Sequence, residues 1–192
     1  MPVSVYKKAI RCLGIAESFV KGVSKKSVLA GVVMRTDLVI DGFSFARITV
    51  GGMDATKGVI EVYEKLKRKD INLMMLNGCI ISWYNVIDLP YVYEKLKVPL
   101  ICVTYEESKG IEEFFRKYFE DAEERIRIYR KNGERIPIKL KTGHKVYVRF
   151  FGLTLKEVKV ILNRFTRVGS IPEPLRVAKL LARSVLYSFS EN

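Results

Sequence analysis

Five short segments of this 192-residue chain carry side chains whose type and spacing could do chemistry. Gly14-Ile-Ala-Glu17 closes an apolar run with a carboxylate. At the end of a strand, beside a parallel neighbour, such an oxygen can hold a hard cation; equally, it can be plain surface. Gly51-Gly-Met-Asp54-Ala-Thr56 sets paired glycines before a helical pattern. Glycine lets a backbone approach a partner closely, and a helix N-terminus attracts anions. Asp54 then reads either as the N-cap of that helix or as a ligand at the sheet edge. Leu76-Asn77-Gly78-Cys79 ends a buried run in a polar group. Open α/β sheets place ligands there, although Asn-Gly is also an ordinary turn. Arg176, Lys179 and Arg183 are spaced i, i+3 and i+7, on one helix face. Such a stripe, with Arg149 and Arg164 to Arg167 nearby, can track phosphates or simply be solvated. His144 follows Gly143 in a turn. A general base needs a group to orient it, and no neighbour supplies one, so His144 reads as a solvated turn residue.

Other chemistries are excluded. No GxSxG, HExxH, Walker or GxGxxG pattern occurs. Cys12, Cys79 and Cys102 are too far apart for a CxxC metal motif, and a single histidine rules out a His-cluster site. Each cysteine lies among apolar residues, as expected of reduced thiols in a cytoplasmic protein. Lys7, Lys8 and Arg11 interrupt the one candidate signal stretch. The longest uncharged run, between Asp70 and Asp88, is too short and polar to span a bilayer, so no membrane is expected.

Charge points to a partner. Lys and Arg number 34 against 21 Asp and Glu, a net +13. Residues 1–124 carry 18 basic and 17 acidic side chains, whereas residues 125–192 carry 16 and 4. A polyanion is the natural ligand for such a surplus, nucleic acid before anionic lipid.

The elements that must position these groups follow from periodicity. Ala9–Ala16, Val28–Arg35 and Phe43–Val50 read as three antiparallel strands joined by turns at Lys21-Gly22 and Asp41-Gly42. Residues 55–105 alternate helix (Ala55–Lys69), strand (Ile71–Leu76), helix (roughly Tyr84–Leu96, with Pro90 expected to bend or delay it) and strand (Pro99–Tyr105), which implies right-handed crossovers. Ile111–Tyr129 reads as one long helix with an acidic first half, and Arg135–Leu140 with Lys145–Phe151 as a hairpin. Thr154-Leu-Lys-Glu157 is a capping box opening a helix to about Phe165. Pro172-Glu-Pro174 opens a last helix to Phe189. The expected fold is α/β, with a ribonuclease H-like mixed sheet: three antiparallel strands, then parallel strands with crossover helices, then an α+β carboxy-terminal extension. One domain over 1–192 is expected, with its core at about 8–130 and the basic extension at about 131–192.

Several segments together carry a family resemblance: Gly14-Ile-Ala-Glu-Ser-Phe19, Ala30-Gly-Val-Val-Met-Arg35, Asp41-Gly42, Gly51-Gly-Met-Asp-Ala-Thr56, Leu76 to Asn85, Val98 to Glu107 and Pro172-Glu-Pro-Leu-Arg-Val-Ala178. Over nearly the whole length the chain resembles an archaeal family of uncharacterised proteins related to endonuclease V, which includes deoxyuridine-directed endonucleases. The resemblance implies an endonuclease V-like fold and Mg²⁺-dependent (or Mn²⁺-dependent) phosphodiester hydrolysis near a damaged or deaminated base. Active relatives place an Asp where this chain has Ala16-Glu17, and an Asp-Gly where it has Asn77-Gly78. Asp54 matches the remaining position.

Glu17 and Asp54 are therefore the expected metal carboxylates and Asn77 a third group lining the catalytic site. Arg149, Arg176, Lys179 and Arg183 are the expected phosphate contacts. The implied function is a DNA- or RNA-interacting hydrolase scaffold with a depleted acidic site. A non-catalytic binding module or a protein-partner scaffold is the alternative. The acidic stretch 111–124 could also pair with the basic third of a second copy, giving a homodimer. The roles of Asp41 and Asp88 are left open.

Overall fold

The structure, a computed structural model, describes residues 9–107 and 110–188. Three long strands come first, β1 (Arg11–Ser18), β2 (Lys26–Arg35) and β3 (Ile40–Thr49). Helix α1 (Ala55–Lys65) leads to β4 (Leu73–Asn77), then to a minimal hairpin of β5 (Ile80–Ile81) and β6 (Asn85–Val86). Helix α2 (Leu89–Leu96), β7 (Leu100–Thr104), α3 (Ile111–Tyr118) and α4 (Ala122–Lys131) follow. The hairpin β8 (Ile136–Lys139) and β9 (Lys145–Phe151) and the helices α5 (Leu155–Phe165) and α6 (Glu173–Ser188) complete the chain.

Seven strands form one sheet in the order β3-β2-β1-β4-β7-β9-β8. β1, β4 and β7 are mutually parallel and end at the same edge, while β2, β3, β8 and β9 are joined by antiparallel pairings. The pleat sends alternate residues to opposite faces. Leu13, Ile15, Leu29, Met74 and Leu76 meet α1 and α2 on one face. Cys12, Leu73, Met75 and Val103 meet α5 and Leu175 on the other. α6 continues that second layer over Ala16, Val32, Val28 and Ala30. Gly14 makes this contact possible: a Cβ there would lie 2.5 Å from Cβ of Pro174. The carboxy-terminal part thus joins the main sheet through β9 and covers β1 and β2 through α6.

Three segments differ from the periodicity reading. The apolar stretch before Pro90 is the β5–β6 hairpin, and α2 starts only at Leu89 with the Asp88 side chain accepting from the Tyr91 amide. Proline suits the first helical turn, where no amide is needed. The long acidic helix is two helices. Phe119 leaves α3 in extended backbone, and its ring packs 5.4 Å from the Trp83 ring and 3.9 Å from the Arg125 guanidinium. α1 ends four residues early, where the chain turns through Lys67 at φ +51. The capping box at Thr154 and Glu157 is present as expected; Phe189 lies outside the described residues.

The β5–β6 turn is strained. Ser82, Trp83 and Tyr84 have φ of +46, +57 and +67. Left-handed backbone costs an L-residue about 1–2 kcal/mol, so the surroundings must hold the turn in place.

Candidate nucleic-acid interface

The carboxyl edge of β1, β4 and β7 is where the resemblance places its acids. β1 and β4 pair in register to Ile15 and Leu76, so Ala16 and Asn77 stand abreast one residue further on. Ala16 packs with Val32 and Ala178 on the α6 face. Asn77 continues the Leu73–Met75 series toward that same face. At this paired position the chain offers a methyl and a neutral amide.

Glu17 is one residue out of phase and follows Leu13 and Ile15 to the α1 face. Its carboxylate accepts from the Ser27 hydroxyl at 3.3 Å and sits 3.8 Å from the Lys179 ammonium. With Ala16, Asn77, Gly78 and the apolar side chains of Ile15, Leu29, Leu76, Ile81 and Ile87 it borders a cavity of about 10 Å³. Such a volume admits one water at most, whereas Mg²⁺ keeps several of its own.

Asp54 opens α1, yet its side chain makes no capping bond. It folds back onto β3 and accepts from the Thr49 amide at 3.0 Å, the Thr49 hydroxyl at 2.8 Å and the Asn85 amide at 2.8 Å. Burial pushes the Asp54 carboxyl up, but the donors from Thr49 and Asn85 outweigh it and hold the group below its ordinary range. Asn85, 0% exposed, also donates to the Thr49 carbonyl and accepts from the Ala55 amide. Arg125 completes the frame. This 3%-exposed guanidinium donates to the carbonyls of Gly51, Gly52 and Tyr84 and pairs with Asp121 at 2.7 Å. The paired glycines therefore expose their carbonyls to a buried arginine. Gly51 sits at φ +71, with room for a Cβ only 3.0 Å from the Trp83 ring.

The side chains expected to hold a cation consequently do not form a donor set for one. Glu17 is one residue out of phase with Asn77, the cavity that both border has room for no hydrated Mg²⁺, and the Asp54 oxygens are occupied by protein donors. Among the described residues no group of three or more His, Cys, Asp or Glu could hold a metal ion. Mg²⁺ does not fit the residues present.

The expected phosphate contacts divide. Arg176, Lys179 and Arg183 are exposed on the outer face of α6. Arg176 pairs with Glu173, Lys179 donates to the Glu17 carbonyl at 2.6 Å, and Arg183 lies over the Tyr187 ring. Arg149 is a correction: it is 6% exposed, donates to the Gly133 carbonyl and to Cys79 Sγ, and lies 4.8 Å from the Tyr129 ring. It is a strut between Gly133, Cys79 and Tyr129 at the floor of an open cavity, not a side chain on the outer surface. The cationic surplus is also smaller at the surface than in the sequence. Arg125 and Arg149 are internal, Arg130 pairs with Glu112 and Lys131 with Asp88. Three acids of 111–124 have partners within the chain, Glu112 on Arg130, Asp121 on Arg125 and Glu123 on Arg116.

Sequence reasoning overlooked Asn85, Arg125 and the rim aromatics. Asn85 closes the Leu76–Asn85 segment of the resemblance without a role attached to it, and Arg125 is legible in the sequence only as charge. Asp41 pairs with Arg11 and Arg68 at the opposite edge, and Asp88 caps α2. His144 stays in its turn, its Nδ1 3.2 Å from the Thr142 carbonyl. All three cysteines are buried thiols. Cys102, Arg149 and Asn132 lower the Cys79 thiol to about 7 against its burial, while Cys102 itself is raised.

Solved structures of similar architecture include endonuclease V from several organisms and a protein of unknown function. Human endonuclease V superposes with a TM-score of 0.65 at 14% identity, over 96% of this chain and 87% of that one. Endonuclease V of Ciona intestinalis, bound to inosine-containing DNA, gives 0.64 at 14% identity over 95% and 88%. A protein of unknown function from Archaeoglobus fulgidus gives 0.78 at 27% identity over 93% and 99%. The fold is that of endonuclease V. The sequence narrows this: the Endonuclease dU family matches residues 8–186, and the chain belongs to that family. A UPF0215 protein of Pyrobaculum aerophilum is 41% identical over 171 residues, 88% of this chain and 91% of the relative. Another, from Thermococcus kodakarensis, is 33% identical over 186 residues, 94% of each.

Proposed function

We propose that this protein binds nucleic acid on an endonuclease V-like scaffold without hydrolysing it. The observation that carries this reading is the Ala16–Asn77 pair, abreast on one face of the rim where the resemblance calls for two aspartates. A scaffold kept while its acids are replaced, with a net charge of +13, is what a binder derived from a nuclease would retain. The exposed face of α6 supplies sequence-independent phosphate contacts, chiefly through Arg183 and Arg176. Lys21 and Lys25, between β1 and β2, and Lys26 at the start of β2 add charge at the carboxyl edge. The residues at 1–192 act in this reading as one domain.

Fluorescence anisotropy with single- and double-stranded oligonucleotides, across a salt series, tests it. Affinity should fall steeply with salt, and Arg176→Gln with Arg183→Gln should lower the log–log slope by about 1.4 on a single strand. Absence of binding at low salt would overturn the reading.

A further inference from the structure

A second feature lies at the β5–β6 turn, apart from the Ala16–Asn77 pair. The chain's single tryptophan, Trp83, stands at the tip of the strained β5–β6 turn and is 38% exposed. Its position is fixed from several sides. The Gly51 amide donates to the Ser82 carbonyl at 2.7 Å, and Arg125 holds the Tyr84 carbonyl at 2.8 Å. One side of the indole packs against Phe119 and Tyr118, at ring separations of 5.4 and 6.0 Å. It also borders an open cavity of about 360 Å³, lined by Lys21, Gly22, Ser24, Lys25, Val50 and Trp83. The volume lies in the range of small-ligand sites. No acidic residue lines the cavity, and both lysines are exposed.

A large aromatic ring held rigidly at the surface against strained backbone marks a recognition site rather than a packing accident. The combination of an indole face with two ammonium groups selects the occupant. A peptide or an apolar ligand would use the ring and leave the lysines idle. A duplex would meet the lysines with its phosphates and leave the ring idle, because its bases are stacked on each other. An unpaired base flanked by its own phosphates uses both. We propose that this cavity is a stacking seat for an unpaired nucleobase of a single-stranded segment, with Lys21 and Lys25 contacting the adjoining phosphates. Phe114, Tyr84 and Tyr118 continue the aromatic surface past Trp83 in near-parallel order, with interplanar angles of 17°, 25° and 11°. Phe114 and Tyr118 are themselves exposed, so the surface can follow a strand beyond one base. This inference rests on the nucleic-acid-binding reading and specifies the form of the ligand.

The experiment uses the unmodified full chain, whose tryptophan emission, excited selectively over its tyrosines, comes from Trp83 alone. It is titrated at low salt with oligothymidylate, and separately with a blunt duplex of equal length, while anisotropy of a labelled strand reports binding independently. Stacking is expected to quench the indole on saturation with the single strand and to leave it unchanged with the duplex. Trp83→Ala should weaken single-strand binding about tenfold, with Trp83→Phe restoring most of it. Lys21→Gln with Lys25→Gln should lower the single-strand salt slope by about 1.4. If the strand binds by anisotropy but the indole emission does not move, the stacking seat is wrong and the broader reading survives. If neither strand binds, both fall. The quenching arm needs no variant, so a misfolded Trp83→Ala leaves the test intact.

Discussion

Replacing Asp54 by Asn distinguishes a structural carboxylate from a cation ligand. The side chain keeps its shape and loses its charge. Three donors now converge on it, at 3.0, 2.8 and 2.8 Å from the Thr49 amide, the Thr49 hydroxyl and Asn85. An amide offers one acceptor oxygen, and its own NH₂ would face a donor. Asn85, fully buried, would keep the Thr49 carbonyl at 2.9 Å and lose its charge-assisted contact. Leaving one buried donor unpaired and weakening two others costs about 2–3 kcal/mol. For a chain of this size that lowers Tm by about 4–12 °C. Thermal unfolding followed by circular dichroism at pH 7 in EDTA is the assay. The pH dependence carries a sign. Folding depresses the Asp54 pKa below its ordinary 3.8, so its stabilisation is fully present above that value and is lost as pH falls through the folded pKa. The gap between native protein and variant should therefore be wide at pH 7 and close in acid. A ligand carboxylate crowded by other acids behaves in the opposite way: neutralising it raises Tm. An unchanged or higher Tm for Asp54→Asn would refute the structural assignment.

Four further outcomes follow from the same geometry. Arg125→Met should destabilise by about 3–5 kcal/mol, because the carbonyls of Gly51, Gly52 and Tyr84 and the Asp121 carboxylate lose one shared partner, and Trp83 emission should shift to the red; chemical denaturation with tryptophan detection checks both. Gly14→Ala should cost about 1–3 kcal/mol in urea unfolding, since the new methyl would meet Pro174 at 2.5 Å and lift α6 from β1. Arg149→Met should move the Cys79 titration from about 7 back toward its ordinary 9.0, although the contact from Cys102 will keep part of the shift; thiolate absorbance against pH reads it, and an unmoved midpoint would contradict the Arg149 contact. Arg183→Glu should weaken oligonucleotide binding in filter retention at low salt and leave Tm within about 1 °C, as expected for a solvated helix face.

Much of the architecture is legible in the residues. Three β-rich runs with Gly-containing turns, then apolar runs alternating with helical periods, give the order of the elements and a mixed sheet, but not that the β8–β9 hairpin joins that sheet beside β7. Gly14 and Pro172-Glu-Pro174 announce elements that pack on each other, although sequence cannot show that one glycine receives the other segment's proline. What escaped reading is tertiary in origin. The residues before Pro90 carry apolar spacing compatible with a helix, but Gly51 and Arg125, distant in sequence, pull Ser82–Tyr84 into left-handed backbone. The acidic helix breaks at Phe119 because its ring has a place between Trp83 and Arg125. Counting charge located the basic third correctly but could not tell Arg149, a buried strut on Tyr129, from Arg183 on the surface. The one-residue phase of Glu17 is the sharpest case, since a single step along a strand reverses the face. Only the register of β1 against β4 shows that Ala16, not Glu17, stands beside Asn77.

One reaction tests the central claim directly. End-labelled strands carrying a single uracil or inosine are incubated with the full chain in Mn²⁺ at low salt. Each sample is then divided between a native gel and a denaturing gel. The account predicts retarded complexes on the first and full-length strand on the second, at every protein concentration. A nick beside the modified base that disappears with Asp54→Ala would contradict it and return the acidic residues of the rim to catalysis.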